Sequence, residues 1–182
     1  MDERSADDPD ERSGVDDDDH DHAHVDGPVS YAVVTVTSTR TLAEDTAGDA
    51  VVAAVEDAGD EMATRELVTD DYDGVQSTVS RIADRDDVTA VVTVGGTGVT
   101  PDDVTVEAVR PLFAKELPGF GELFRSLSFE SVGTATVATR ATAGVVDETP
   151  VFCLPGSEDA AELGARRIVV EEAGHLSRLA GR

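Results

Sequence analysis

The chain has 182 residues, 40% of them hydrophobic, which is enough for one compact domain with a tail and too little for two full-sized domains. It carries 39 acidic residues against 14 basic ones, including a single lysine, Lys115, so that its formal net charge is -25. This charge argues against nucleic acids and anionic membranes as ligands, because binding to either depends on Lys and Arg neutralising phosphate, and one cysteine, Cys153, excludes an internal disulfide.

Residues 1–28 are the first distinct segment, with twelve Asp or Glu, two Arg and no aromatic residue. Such a composition buries too little apolar surface to offset the entropy of ordering, so it predicts a disordered acidic tail. Within it the run 16–24, DDDDHDHAH, contains His20, His22 and His24. It is either a weak divalent-metal site or a solvated charge run, and the lack of fixed geometry in an unfolded segment favours the second.

Strands and helices are predicted to alternate over residues 29–94. The β-branched run 29–37 predicts a buried strand, 46–58 a helix that ends at Gly59, and 62–68 a second strand. Apolar residues at spacings of three and four predict a helix over 71–83, and VTAVVTV at 88–94 is typical of a buried strand. The alternation predicts parallel strands with right-handed crossovers, in a three-layer α/β/α sandwich whose sheet is mostly parallel.

The second half of the chain continues this pattern. We expect a helix over 103–117, another opened by Pro118 and Gly119, strands over 135–139 and 150–154, and a last helix over about 159–173. The predicted domain therefore spans 29–174, and residues 175–182, including a surface His175, form a C-terminal tail.

The acidic residues are spread over the whole chain. This spread favours a hydrated surface adapted to high salt over a patch that binds one cationic partner, because screening by salt relieves the self-repulsion. No run is apolar and long enough to span a bilayer, and no cationic, apolar signal segment opens the sequence, so we expect a soluble, cytoplasmic protein.

The chemistry-bearing feature is the glycine loop, Gly95-Gly96-Thr97-Gly98, which directly follows the predicted strand 88–94. Glycines allow several backbone amides to converge on an anion, and a helix start nearby adds its positive dipole. The loop lacks both the Gly-Lys-Ser/Thr ending of a P-loop and the three-glycine spacing of a dinucleotide fingerprint. It therefore predicts an anion cradle of another kind.

The stretch 95–108, GGTGVTPDDVTVEA, resembles the signature of the MoaB/Mog family. The resemblance continues in Asp45 and Gly48, in the strand end at 67–70, in PGFGELFR at 118–125, and in the segments 139–144 and 154–157. These motifs occur in the family's order and cover residues 29–173. The chain is therefore identified as a member of this family, with the MogA-like molybdopterin-binding fold.

The resemblance implies adenylyl transfer, in which the terminal phosphate of molybdopterin attacks the α-phosphate of Mg-ATP and pyrophosphate leaves. It implies Mg²⁺ as the metal, ATP and molybdopterin as substrates, a homotrimer or a hexamer built from trimers, and a downstream metal-insertion enzyme as a possible partner. Whether molybdenum or tungsten is the final metal stays open.

By resemblance, Asp70 and Asp103 are the catalytic aspartates and coordinate the metal; the alternative for each is a helix N-cap. The residues expected to bind phosphate or nucleotide are Gly95, Gly96, Thr97, Gly98, Gly156 and Ser157. Those expected to contact the pterin substrate are Glu122, Arg125, Thr139 and Arg140. Glu122 and Arg125 are equally compatible with a helical salt bridge at spacing three.

Three positions depart from the family pattern: Asp102 replaces the usual Arg before the catalytic Asp, Ser38 replaces an Asp at the early strand end, and Glu158 replaces a common Pro. The first removes a phosphate-binding cation. A non-catalytic molybdopterin carrier with the same fold is therefore the alternative to an active enzyme. A third possibility, the related domain of competence-associated proteins, is disfavoured by the PGFGELFR segment.

Overall fold

A single six-stranded sheet organises the chain, with strand order β2-β1-β3-β6-β5-β4. In this computed structural model, which describes residues 27–181, the strands are β1 Ser30–Val36, β2 Glu61–Val68, β3 Ala90–Val94, β4 Lys115–Glu116, β5 Thr142–Val146 and β6 Thr149–Leu154. Strands β2, β1, β3 and β6 are parallel, whereas β5 runs antiparallel to both its neighbours, β6 and β4. The prediction of a mostly parallel sheet is confirmed.

The sheet is buried on both faces by helices. These are α1 Thr46–Asp57, α2 Tyr72–Ala83, α3 Thr105–Val109, α4 Pro118–Val132, α5 Glu158–Gly164 and α6 Val170–Ala180, with a π-helical stretch, Ala165–Val169, joining the last two. One core contains apolar residues of α1, α4, α5 and α6, and the other contains those of α2 and α3. The predicted three-layer sandwich is therefore confirmed. No helix among the described residues has the length and apolar character that a membrane crossing requires.

The strands β1 and β3 lie side by side at a topological switch point. The helix after β1, α1, packs on one face of the sheet, whereas the helix after β3, α3, packs on the opposite face. The connections therefore diverge and leave a crevice at the carboxyl ends of the two strands. Ligands of open α/β sheets bind in such crevices.

The start of α1 is fixed by a buried carboxylate. Asp45 is fully buried; it accepts hydrogen bonds from the Thr35 hydroxyl at 2.6 Å and the Gly48 amide at 3.0 Å, and pairs with Arg65 at 2.8 Å. Burial alone would raise the pKa of Asp45, but the hydrogen bonds from Arg65, Thr35 and Gly48 outweigh it and lower the pKa. This Asp45–Gly48 element is thus an N-cap that also ties α1 to β1 and β2.

Two sequence-based predictions of elements were wrong. The helix expected over 103–117 is only the short α3, because Pro111 lacks an amide and a 3₁₀ turn, Arg110–Leu112, leads into the edge strand β4. The strand expected over 135–139 is a 3₁₀ segment, Gly133–Ala138; its β-branched Val137 is 85% exposed and has no sheet to pack on. The true strand, β5, begins at Thr142.

The C-terminal boundary also differs from the prediction. The last helix, α6, continues to Ala180, so residues 175–180 are helical rather than a tail. His175 is exposed on this helix, as expected. Of the predicted acidic tail, residues 1–26, with the histidine run, lie outside the described residues.

Candidate active site

The glycine loop has a backbone that side chains would not tolerate. Gly95 and Gly96 have φ of 101° and 65°, in the left-handed region. A Cβ on Gly95 would lie 2.5 Å from the Val36 carbonyl oxygen at the end of β1, and one on Gly96 would lie 2.2 Å from Thr105 Oγ1. The glycines therefore allow the end of β3 to approach both β1 and the start of α3.

Two residues outside the loop, Thr105 and Arg140, donate hydrogen bonds to its carbonyl groups. Thr105 donates its hydroxyl to Gly95 O at 2.8 Å and its amide to Gly96 O at 3.0 Å, and Arg140 donates its amide to Thr97 O at 3.0 Å and Nε to Gly98 O at 2.6 Å. The amides of Gly96 and Thr97 have no acceptor within residues 27–181. The loop therefore turns its carbonyls inward and leaves these two N–H groups free to donate to an anion.

Asp103 closes a turn directly beside this loop. Its Oδ2 accepts hydrogen bonds from the Thr100 amide at 2.8 Å and the Thr100 hydroxyl at 2.7 Å. Burial would raise the pKa of Asp103, but these bonds, the Gly98 amide and the charge of Arg140 outweigh it and lower the pKa. The carboxylate is therefore ionised at neutral pH. The N-cap of α3 is Val104, so the helix-capping alternative for Asp103 is wrong.

The loop and Asp103 form one side of a cavity of about 390 Å³, here called the large cavity. Residues later in the chain complete its lining, among them Phe124, Ser128, Thr136, Thr139, Gly156 and Ser157. Its volume is in the range of small-molecule sites. The structure thus brings together seven of the predicted site residues, from Gly96 and Asp103 to Thr139 and Ser157, at one opening.

Three hydroxyl groups of residues that line the large cavity lack a hydrogen-bond partner among the described residues. They belong to Ser128, Thr136 and Thr139, and Ser128 and Thr136 are each only 7% exposed. Buried polar groups are normally hydrogen-bonded, and exceptions are concentrated at functional sites. These hydroxyls favour a ligand that has polar atoms of its own.

A second, smaller cavity of about 170 Å³ lies at the switch point between β1 and β3, and we call it the switch-point cavity. It is lined by Thr37, Arg40, Asp70, Gly95, Gly96 and Gly156, among others. It shares Gly96 and Gly156 with the large cavity, so the two adjoin. The Asp70 amide donates to Ser38 Oγ at 3.2 Å, which places the departure at position 38 beside the predicted catalytic aspartate.

Asp70 is free of the capping role that its neighbour performs. Asp71 is the N-cap of α2, and its Oδ2 accepts a hydrogen bond from the Gly74 amide at 2.8 Å. The capping alternative for Asp70 is therefore wrong. Asp70 and Asp103 line different cavities, and within residues 27–181 no group of three acidic, His or Cys side chains is arranged to hold a metal ion.

Arg140, which was expected to contact the pterin substrate, lines neither cavity. Besides Gly98, its guanidinium donates to the Asp103 carbonyl at 3.0 Å and pairs with Glu107, whose pKa is lowered by that hydrogen bond. All these contacts are within the protein. Arg140 therefore braces the glycine loop against α3 instead of reaching into a cavity.

Glu122 and Arg125 do not line either cavity. Glu122 is exposed on α4, whereas Arg125 is half-buried and reaches the Ala141 carbonyl at 3.5 Å. Within residues 27–181, Glu122 and Arg125 also do not form the alternative salt bridge with each other. The structure does not bring this pair together with the glycine loop.

Sequence reasoning missed three residues at the site, namely Arg40, Ser128 and Thr136. Arg40 lies in the segment STRTLAED, which resembled an ordinary polar loop. Ser128 is on α4, and Thr136 is in the segment that was wrongly predicted as a strand. The signal for Arg40 was its rarity, because few basic residues follow a strand end in so acidic a chain.

Comparison with known proteins gives one consistent result. Residues 32–175 match the family model described as "Probable molybdopterin binding domain". A protein from Bacillus subtilis (strain 168), called molybdenum cofactor biosynthesis protein B, is 44% identical over 151 residues, covering 82% of this chain and 89% of that protein.

Solved structures agree with this match. A crystal structure of molybdenum cofactor biosynthesis protein B is 36% identical, with a TM-score of 0.82 over 86% of this chain and 98% of that one. The tungsten cofactor synthesizing protein MoaB from Pyrococcus furiosus is also 36% identical, with a TM-score of 0.75 over 85% of this chain and 98% of its own. The predicted fold is confirmed.

Proposed function

Because this chain belongs to the family of probable molybdopterin-binding domains, we propose that it is a molybdopterin adenylyltransferase. Its relatives support a role in molybdenum cofactor biosynthesis. In the proposed reaction AMP passes from Mg-ATP to the terminal phosphate of molybdopterin, and pyrophosphate is released.

The observation that carries the proposal is the meeting of two cavities at the glycine loop. The large cavity has the size for a heterocyclic substrate, an aromatic side chain, Phe124, and three hydroxyls that have no partner in the described part of the chain. The switch-point cavity is smaller and polar, with Asp70 and Arg40. Adenylyl transfer needs two anionic substrates to be placed end to end, and adjoining cavities that share Gly96 and Gly156 suit that need.

The chemistry asks little of the protein beyond positioning and charge stabilisation. A phosphate oxygen of molybdopterin forms a bond to the α-phosphorus of ATP, while the bond from that phosphorus to the bridging oxygen of pyrophosphate breaks. The free amides of Gly96 and Thr97 would stabilise negative charge that develops at the α-phosphate. Asp103 is ionised, so it would act as a metal ligand or positioning group and not as an acid.

The donor chemistry of both cavities fits Mg²⁺. Carboxylate and hydroxyl oxygens line them, and among the described residues no His side chain does. Cys153 is fully buried in β6, and burial raises its pKa to about 11. Magnesium sites in such enzymes use one or two carboxylates and the substrate phosphates, and the two adjoining cavities offer one carboxylate each, Asp103 and Asp70. When bound, the ion would neutralise phosphate charge.

One observation favours the carrier alternative. Among residues 27–181, no Lys or Arg side chain lines the large cavity, and Asp102, next to Asp103, is exposed. A site with so little positive charge would hold molybdopterin through hydrogen bonds and stacking without turning it over. The carrier reading predicts binding that is independent of ATP and Mg²⁺.

The decisive experiment is molybdopterin-dependent release of pyrophosphate from Mg-ATP by the full chain in molar KCl. We expect Asp103→Asn to reduce the rate by at least about a hundredfold, since it removes a proposed Mg²⁺ ligand at the reacting phosphates. Asp102→Asn is the matched control, because it removes the same charge one residue away on an exposed side chain. Molybdopterin binding without pyrophosphate release by the wild type would favour the carrier, and equal rates for all three proteins would refute the role of Asp103.

We also propose that the chain assembles into a homotrimer or a hexamer. The end of α4 and the 3₁₀ segment after it expose Phe129, Val132 and Val137, of which 57%, 56% and 85% remain accessible. Apolar side chains clustered along the chain in this way are typical of an interface between subunits. The mass of the full chain by light scattering in molar KCl tests this; a monomer would refute it. A downstream metal-insertion enzyme stays a proposed partner.

A further inference from the structure

The switch-point cavity is lined by one basic side chain, Arg40, which forms no ion pair within the described residues. Six arginines among the described residues form ion pairs with carboxylates: Arg65, Arg81, Arg85, Arg110, Arg140 and Arg166. Arg40 has no such pair within residues 27–181, although the chain has a large excess of acidic groups. Its one hydrogen bond is a long one, from Nη1 to the Gly156 carbonyl at 3.3 Å.

Arg40 is also the sole Lys or Arg among the described residues lining either cavity. The bond to Gly156 places it across the opening between the segment after β1 and the segment after β6. Its remaining guanidinium N–H groups are available to a ligand, since Arg presents five donors in a fork that suits phosphate oxygens. The cation therefore stands at the crevice where α/β sheets bind ligands.

The shape and polarity of this cavity restrict its ligand. With about 170 Å³ it is too small for a nucleoside or a pterin, and the backbone of Gly95 and Gly96 forms one wall. Asp70, which also lines this cavity, would repel a bare anion. A diphosphate that carries a divalent cation removes this conflict, because the cation satisfies the carboxylate while Arg40 and the loop amides take the phosphate oxygens.

We propose that the switch-point cavity binds magnesium pyrophosphate, the leaving group of the proposed reaction, and that Arg40 is its binding residue. The inference rests on the proposed function for the identity of the ligand. It also accounts for a site in which position 102 is an aspartate: the phosphate-binding cation is supplied from the segment after β1 instead of the segment before α3.

The test is calorimetric titration of the full chain in KCl of constant ionic strength with Mg-pyrophosphate, Mg-ATP and AMP in turn. We expect Arg40→Gln to weaken the binding of pyrophosphate and ATP by about tenfold or more, because a charged hydrogen-bonded contact is lost. AMP, which lacks the diphosphate, should lose little affinity. Arg40→Lys should recover part of the loss.

Arg85→Gln is the control for net charge. Arg85 pairs with Asp87 ahead of β3, at the end of the sheet opposite the glycine loop, so its loss should leave all three affinities unchanged. Unchanged pyrophosphate binding in Arg40→Gln would overturn the proposal. Equal weakening of AMP and pyrophosphate would also overturn it, because that pattern indicates that Arg40 only holds the Gly156 segment in place.

The two proposals fail in different ways. If the wild type releases no pyrophosphate from ATP, yet Arg40→Gln selectively weakens pyrophosphate binding, the diphosphate subsite stands and the adenylyltransferase assignment fails. If the wild type is active and Arg40→Gln leaves the KM for ATP and the affinity for pyrophosphate unchanged, the subsite fails and the enzyme assignment stands.

Discussion

Replacing Arg140 by lysine separates a bracing role from a substrate-binding role. The arginine binds the carbonyls of Gly98 and Asp103 through Nε and Nη2 and pairs with Glu107 through Nη1. Lysine keeps the charge, but its ammonium cannot reproduce a planar fork with three separate acceptors. If Arg140 acts through the fork, Arg140→Lys will resemble Arg140→Ala; if it acts as a charge, lysine will rescue.

The magnitude follows from the contacts. Each hydrogen bond from a charged group to a carbonyl contributes about 1.5 kcal/mol at the lower end of its range, which is appropriate because the side chain is 33% exposed. The pair with Glu107, which is 50% exposed, contributes less than about 1 kcal/mol. We therefore expect Arg140→Lys to lower the free energy of unfolding by about 2 kcal/mol and Arg140→Ala by about 3 kcal/mol.

Urea unfolding followed by circular dichroism measures the stability, and steady-state kinetics measure the consequence for the site. Because the loop and the Asp103 backbone lose their brace, we expect kcat in Arg140→Lys to fall by at least about tenfold with a smaller change in KM. A bracing role for Arg140 is refuted if Arg140→Lys unfolds at the wild-type urea concentration while KM rises and kcat is kept, since a direct contact with substrate would give that result.

Other substitutions test the fold around the site. Asp45→Asn should destabilise the protein by about 3 kcal/mol, because it removes the buried negative charge that pairs with the Arg65 guanidinium. In the wild type the lowered pKa of Asp45 stabilises the fold above the pKa of the unfolded carboxyl, and this stability should be lost as the pH falls through the lower, folded value; Asp45→Asn should lack that part of the pH dependence. Glu148→Gly should stabilise by about 0.5–1 kcal/mol, because Glu148 has φ of 71° in the β5–β6 turn. Gly144→Ala should destabilise by about 1–3 kcal/mol, because its Cβ would lie 2.3 Å from the Phe113 ring.

Each of these has a contrary outcome and a simple measurement, namely urea unfolding at fixed salt, repeated across pH for Asp45. A pH profile of Asp45→Asn that overlays the wild type would show that the buried carboxylate does not control acid unfolding. A loss of stability in Glu148→Gly would mean that contacts of this side chain outweigh its backbone strain. Wild-type stability in Gly144→Ala would mean that the ring of Phe113 moves aside at little cost.

The elements that the sequence predicted well are those whose burial leaves a clear pattern of apolar residues. Strand β3 is buried along its whole length, so its continuous apolar run has one interpretation, and α2 has an apolar stripe at helical spacing. The segment Gly133–Ala138 failed because β-branched residues favour strands only where a neighbouring strand is present, and here none lies beside it. Whether a segment finds a neighbouring strand is a tertiary property that local sequence does not encode.

The candidate site divides in the same manner. The glycine loop and Asp103 were predictable because the residues that form them are close in sequence. The assignment of Arg140 to a cavity was not, since its partners Gly98 and Glu107 are distant in sequence and a free guanidinium and a bracing one have the same local pattern. Arg40 and Gly156 likewise meet only through the strand order.

The hydrogen bonds of the glycine loop have a consequence for the order of folding. The loop is held by Leu154 at the end of β6 and by Arg140 before β5, both of which are synthesised well after it. A partly folded chain that contains β1 to β3 therefore lacks the anion cradle. Ligand binding should therefore report that the last strands have formed. A phosphate ligand should raise the free energy of unfolding of the whole domain, and above saturation this increase should grow with the logarithm of the ligand concentration.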